Sequence, residues 1–175
     1  MIEPQYQKPA QPVRGIDSLL RAWLQLPQKL RAVVPLSIMA LLWWSSSNGS
    51  MLGGPSLGIM LVHNSMHGVA YAALGGSLLL ALTEGAMKPS GATIATAAWS
   101  IAIATVYGAL DEVHQLYVPG RVCCLADFLA DVSGAAAAVA FLRARLYQDR
   151  ISAIAFPFCI VALVVIVALG TAKPW

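Results

Sequence analysis

Hydrophobic positions run along this chain in long unbroken blocks. Residues 57–83, 91–110 and 151–172 contain no lysine, arginine, aspartate or glutamate. A helix needs about 20 apolar residues to cross the hydrocarbon core of a bilayer. The polar–apolar alternation of barrel strands is missing from these blocks. The pattern predicts an all-α fold, a polytopic transmembrane helix bundle with about five spans. They are expected at residues 30–46, 59–83, 91–117, 124–142 and 151–170. Trp43 and Trp44 close the first and shortest span and suit the interfacial aromatic belt. No internal repeat is visible. The expected organisation is one transmembrane domain, 30–172, behind an N-terminal segment, 1–29.

Composition agrees with the pattern. Of 175 residues, 58% are hydrophobic and 11% charged, against about 25% charged in a soluble domain. The mean hydropathy is +0.70. Residues 1–12 are polar and proline-rich, lack the apolar core of a cleavable signal and are expected to be disordered. Behind them, Leu19, Leu20, Trp23 and Leu24 recur at helical spacing, with Asp17 as the expected N-cap. That short amphipathic helix fits either the membrane surface or a seat against the bundle. Three cysteines make no disulfide framework and are read as small hydrophobes. The basic residues are scattered and mark no nucleic-acid surface, so the expected partners are membrane lipids and, in one reading, subunits of a larger membrane complex, with no nucleic acid.

Charge sets an expected orientation. Lys8, Arg14, Arg21, Lys29, Arg31, Lys88, Arg143, Arg145 and Arg150 fall on one side of a five-span chain, and Arg121 and Lys173 on the other. Basic loops stay cytoplasmic. The expectation is a cytoplasmic N-terminus and an external C-terminus in the bacterial inner membrane.

The stretch "GALDEVHQLYVPGRVCCLADFLADVSGA" (108–135) departs from all this. It carries Asp111, Glu112, Asp127 and Asp131, half of the chain's eight acidic residues. At ~100° per residue, Asp111, Glu112 and Gln115 share one sector of a helix and His114 points away. Pro119 and Gly120 break that helix, with Arg121 in the turn. Asp127, Asp131 and Gly134 then share a stripe on the next span. In the span before, His63, His67 and Tyr71 form a polar stripe. Gly68, Ala72 and Gly76 form a small-residue stripe suited to close helix packing in lipid. Ionisable groups at membrane depth are costly unless paired or facing a cavity. These side chains are expected to build a polar pocket at the external face, or else a structural salt-bridge network pinned by Arg121.

These residues resemble the signature of the VanZ-like family of integral membrane proteins. That signature is Asp-Glu-x-x-Gln, an aromatic, Pro-Gly-Arg, then Asp-x-x-x-Asn-x-x-Gly. Here it reads Asp111, Glu112, Gln115, Tyr117, Pro119, Gly120, Arg121, Asp127 and Gly134, with "HGVAY" supplying His67 and Tyr71. The likeness covers about residues 45–145. Two positions depart from it. The family's Asp-Lys before the histidine helix is His63-Asn64, and its asparagine in the fourth span is Asp131. A lysine is lost and an acid gained. The family takes its name from a protein linked to teicoplanin resistance, so the resemblance implies a cell-envelope role.

The functional expectation is a non-enzymatic accessory or binding protein. His67, Asp111, Glu112, Gln115, Arg121 and Asp127 would hold a lipid headgroup, a glycan precursor or a small polar ligand, with Arg121 taking phosphate or carboxylate. One alternative is a scaffold subunit of a larger membrane complex. Another is an enzyme using His67 as general base beside a carboxylate. His63 and His67 have the i, i+4 spacing of zinc ligands, but no Glu-x-x motif supports it. No metal or cofactor is expected.

Overall fold

In the computed structural model, residues 15–48, 56–83, 93–121 and 123–172 are described. They form six helices in chain order: α1 (Ile16–Leu24), α2 (Gln28–Ser47), α3 (Leu57–Leu82), α4 (Ile94–Gln115), α5 (Leu125–Tyr147) and α6 (Arg150–Ala172). Helices α2 to α6 are each long and apolar enough to span a membrane. The described residues contain no strand. The largest shift from the expected boundaries is in α5, which runs five residues beyond 142. Residues 1–14, the 84–88 loop and Lys173 lie outside the described residues, as does much of the Gly/Ser-rich loop before α3.

Local chemistry sets the helix ends. Ser56 accepts from the Ile59 amide at 3.3 Å and starts α3. Thr93 accepts from the Thr96 amide at 3.1 Å and starts α4. Asp149 accepts from the Ser152 amide at 3.3 Å and its hydroxyl at 2.5 Å, satisfying the first turn of α6. For α1 the N-cap is Gly15, so Asp17 lies inside the helix and not at its cap. Between α4 and α5, the Arg121 amide donates to the Val118 carbonyl at 3.1 Å, and Gly120 has φ +82°. Pro119–Gly120 at the centre is the sequence of a type II turn.

Helices α3 and α5 form the axis of the bundle. Their backbones touch: a Cβ on Gly134 would lie 2.1 Å from the Gly68 carbonyl oxygen. A Cβ on Gly75 would lie 2.8 Å from the Ala135 Cα. Gly76 is buried against Leu142, and Ala72 is half-buried. Gly75 is thus part of the packing surface that the four-residue stripe omitted. Helix α6 packs on α5, and α2 and α4 close the other side. The outer faces are apolar, as lipid requires: Ile151, Phe158 and Val161 on α6, and Trp99 and Val106 on α4, are exposed. At the first helix, Leu24 is buried and Leu19 is exposed. The α1 face borders a groove of about 320 Å³ shared with Arg31, Val34, Ser77 and Leu80.

Up-and-down order brings the C-terminal ends of α2, α4 and α6 together with the N-terminal ends of α3 and α5. That end carries the polar stripes. At the other end, buried Arg31 donates to the Leu26 and Leu80 carbonyls, and Arg143 pairs with Asp149 at 3.2 Å.

A carboxylate–histidine cluster at one end of the bundle

One stripe of α4 carries the site. Its buried positions are Ala97, Ser100, Ala104, Gly108, Asp111, Glu112 and Gln115, a helical i, i+3, i+4 repeat. The stripe is small where the helices cross and polar at its last turn. Gln115 donates to Asp111 Oδ2 at 3.3 Å and to Glu112 Oε1 at 3.4 Å. The other Glu112 oxygen accepts from the Cys124 backbone amide at 2.8 Å. A carboxylate is thereby held at the N-terminus of α5, where the helix dipole favours negative charge.

The second wall is α3 facing α5. His67 Nδ1 lies 3.0 Å from Asp131 Oδ1, and His63 Nε2 lies 3.6 Å from Asp127 Oδ2. Asn64 is buried beside them. With its amide turned to satisfy both ends, it donates to Asp127 Oδ1 at 3.0 Å and to the Met60 carbonyl at 3.2 Å. Tyr71 is buried one turn deeper than His67. Gly108 makes room there: a Cβ on it would lie 3.2 Å from both Asp131 Oδ2 and Tyr71 Cε1. Asp131 is six residues into α5, about 9 Å below its start.

The cluster is packed, not open. Asp111, Glu112, Gln115, Asp127 and Asp131 are each no more than 4% exposed. His63 is the rim, with its side chain 32% exposed. Three buried polar atoms of the cluster have no hydrogen-bond partner: Asp111 Oδ1, Asp131 Oδ2 and the Tyr71 hydroxyl.

Arg121 is placed elsewhere. Its Nη2 donates to the Ser45 carbonyl at 2.7 Å and its Nε to the Asn48 carbonyl at 3.2 Å. It caps the C-terminus of α2, which presents orphan carbonyls and partial negative charge. Among the described residues, the cluster's ion pairs are all with histidine. Four carboxylates thus share two histidine partners. His114 is also elsewhere, stacked on Trp43 at 4.0 Å with its Nε2 3.0 Å from the Ser47 hydroxyl. Tyr117 of the turn is 80% exposed.

Asn64 was noted from sequence only as a departure from the family pattern, and Gly108 and the Cys124 amide were not singled out. Gly108 was the most accessible of the three, since it precedes Asp111 by three positions on the same stripe.

The fold and site together define a multi-pass α-helical membrane protein with an acidic, histidine-bearing cluster at one end. The VanZ/LLP1 family model matches residues 10–147, most of the chain, and the chain belongs to that family. No curated protein and no solved structure matches it.

Proposed function

We propose that the chain is a binding protein of the bacterial cytoplasmic membrane, taking a donor-rich or cationic group at the carboxylate–histidine cluster, with the partly exposed His63 as the way in. The two unpartnered carboxylate oxygens, on Asp111 and Asp131, carry this reading. A buried acceptor without a donor costs about 1–3 kcal/mol, and more when charged. A ligand bearing an ammonium, several hydroxyls or a positive charge would supply those donors. A phosphate headgroup is disfavoured, because the one arginine near this end is occupied by the α2 carbonyls. The nine-to-two split of basic residues supports a cytoplasmic N-terminus, which places the cluster at the external face.

Binding is favoured over catalysis. Burial, then the neighbouring Glu112, pushes the Cys123 thiol above its ordinary value, so no activated sulfur nucleophile stands there.

The test is thermal melting of the detergent-solubilised chain with glucosamine, glucose and glucose-6-phosphate. Glucosamine is expected to stabilise most and the phosphate least, and Asp111→Asn is expected to weaken the glucosamine effect. A ligand at about 100 times its Kd stabilises by ~2.7 kcal/mol, enough to read as a shift in Tm. Strongest stabilisation by the phosphate, or none by any sugar and none by a metal ion, would overturn the donor reading. A purely structural polar network would give the second result.

A further inference from the structure

Resting on that reading of the cluster, we propose that its ligand is a divalent transition-metal ion held by His63, His67 and Asp127, with Asp131 and Asn64 orienting the ligands. One ligand atom from each of these three residues lies within 4.8 Å of the others. His63 Nε2 and Asp127 Oδ2 are 3.6 Å apart. Zinc bonds of 2.0–2.1 Å in a tetrahedron separate ligand atoms by about 3.3–3.4 Å. For this pair, a small inward movement of the rim histidine closes the difference.

The surrounding contacts select this triplet. A second triplet, His67, Glu112 and Asp131, is equally close. There, however, one Glu112 oxygen already accepts the Cys124 amide, and Asp131 already holds His67. In the first triplet those contacts become the support of the metal site. A metal-binding histidine almost always gives its other ring nitrogen to a carboxylate or carbonyl. His67 Nδ1 is on Asp131 Oδ1, which leaves Nε2 for the ion. Asp127 has Oδ1 held by Asn64, which leaves Oδ2. The partly exposed His63 gives the ion a way in. Asp131 Oδ2 faces Gly108 and Tyr71 instead, so Asp131 serves this site through Oδ1 alone. Two histidines and a carboxylate suit zinc, cobalt or iron(II) over magnesium or calcium.

The experiment uses the full chain in detergent, stripped with EDTA. It is loaded with zinc sulfate or cobalt chloride, desalted and assayed for metal. One ion per chain is expected, with visible d–d absorption for cobalt. His63→Ala and Asp127→Asn are each expected to lower zinc affinity at least 100-fold. Asp131→Asn is expected to lower it roughly 10- to 100-fold, the usual effect of losing an orienting partner. His63→Ala keeps the test informative if buried variants misfold, because His63 sits at the rim and Asp127 keeps its Asn64 contact, so the metal-free variant is expected to fold. No metal retained after desalting overturns the proposal, as does zinc affinity unchanged in His63→Ala. If zinc fails while glucosamine still stabilises the chain, only the metal is lost. If both fail, the donor reading falls with it.

Discussion

Adding one methyl at Gly134 strikes the closest backbone approach in the bundle. An alanine Cβ there would sit 2.1 Å from the Gly68 carbonyl oxygen and 2.9 Å from its carbon. Ordinary van der Waals contact for such an atom begins at 3.4 Å. Helices α3 and α5 must therefore part by about 1 Å, because no rotamer change can move a backbone carbonyl. Overpacking costs ~1–3 kcal/mol and occasionally more, and a clash with no flexible side chain belongs at the upper end. Alanine recovers about 0.5–1 kcal/mol of the helix penalty of glycine. The net expectation for Gly134→Ala is a loss of at least ~2 kcal/mol. Two further variants calibrate it. Gly68→Ala meets Leu163 Cδ1 at 2.6 Å, the end of a side chain that can turn aside, and should cost roughly 1 kcal/mol. Gly58→Ala meets nothing within 4 Å, and should be neutral or stabilising by about 0.5–1 kcal/mol. The assay is unfolding in mixed detergent micelles as the fraction of sodium dodecyl sulfate rises, followed by tryptophan fluorescence. Gly134→Ala within ~0.5 kcal/mol of wild type, or Gly68→Ala costing more than Gly134→Ala, would refute the packing argument.

Two other predictions follow from the helix ends. Arg121→Ala removes two charge-assisted contacts to the Ser45 and Asn48 carbonyls and is expected to cost ~1–2 kcal/mol in the same assay. Adding Glu112→Gln should not repair it; recovery in the double variant would mean that Arg121 balances the acids after all. At the other end, the Ser152 hydroxyl and, less strongly, Arg143 hold the Asp149 carboxyl below the usual carboxylate range. A depressed folded value contributes stability that is complete above the unfolded value of about 3.9 and lost as pH falls through the folded value. The Tm gap between wild type and Asp149→Asn should therefore be constant above about pH 5 and shrink below pH 4. A gap that widens on acidification would reverse the assignment.

The spans were legible because lipid imposes a crude rule, about 20 apolar residues per crossing, that needs no tertiary knowledge. The polar stripes were legible for a similar reason. His63, His67 and Tyr71, and likewise Asp127 and Asp131, share faces by helical period alone. The destination of Arg121 was hidden. Its neighbours in sequence are acids, and charge alone suggests a salt bridge. The competing partner is the C-terminus of α2, more than 70 residues away, whose orphan carbonyls are a property of every helix end and leave no mark in the sequence. Gly75 was hidden too. A four-residue stripe assumes one straight line of contact, whereas the α3–α5 contact runs from Gly68 to Gly75, a seven-residue step.

That contact also explains why so apolar a chain gathers its charges at one place. Gly68 follows His67 directly, and Gly134 lies one turn beyond Asp131. Where two backbones touch, the side chains beside the point of contact are brought within hydrogen-bond reach. His67 and Asp131 meet at 3.0 Å for this reason. A larger residue at Gly134 would hold the helices apart and leave Asp131 buried without its imidazole. An unpaired buried charge is among the costliest features a bundle can carry. The glycines and the acids are thus parts of one arrangement: close packing makes the pairing possible, and the pairing makes the buried acids tolerable. Gly134→Ala should therefore lower zinc affinity as well as stability, although residue 134 is no ligand. If it lowers stability and leaves zinc affinity untouched, the packing contact and the site are independent.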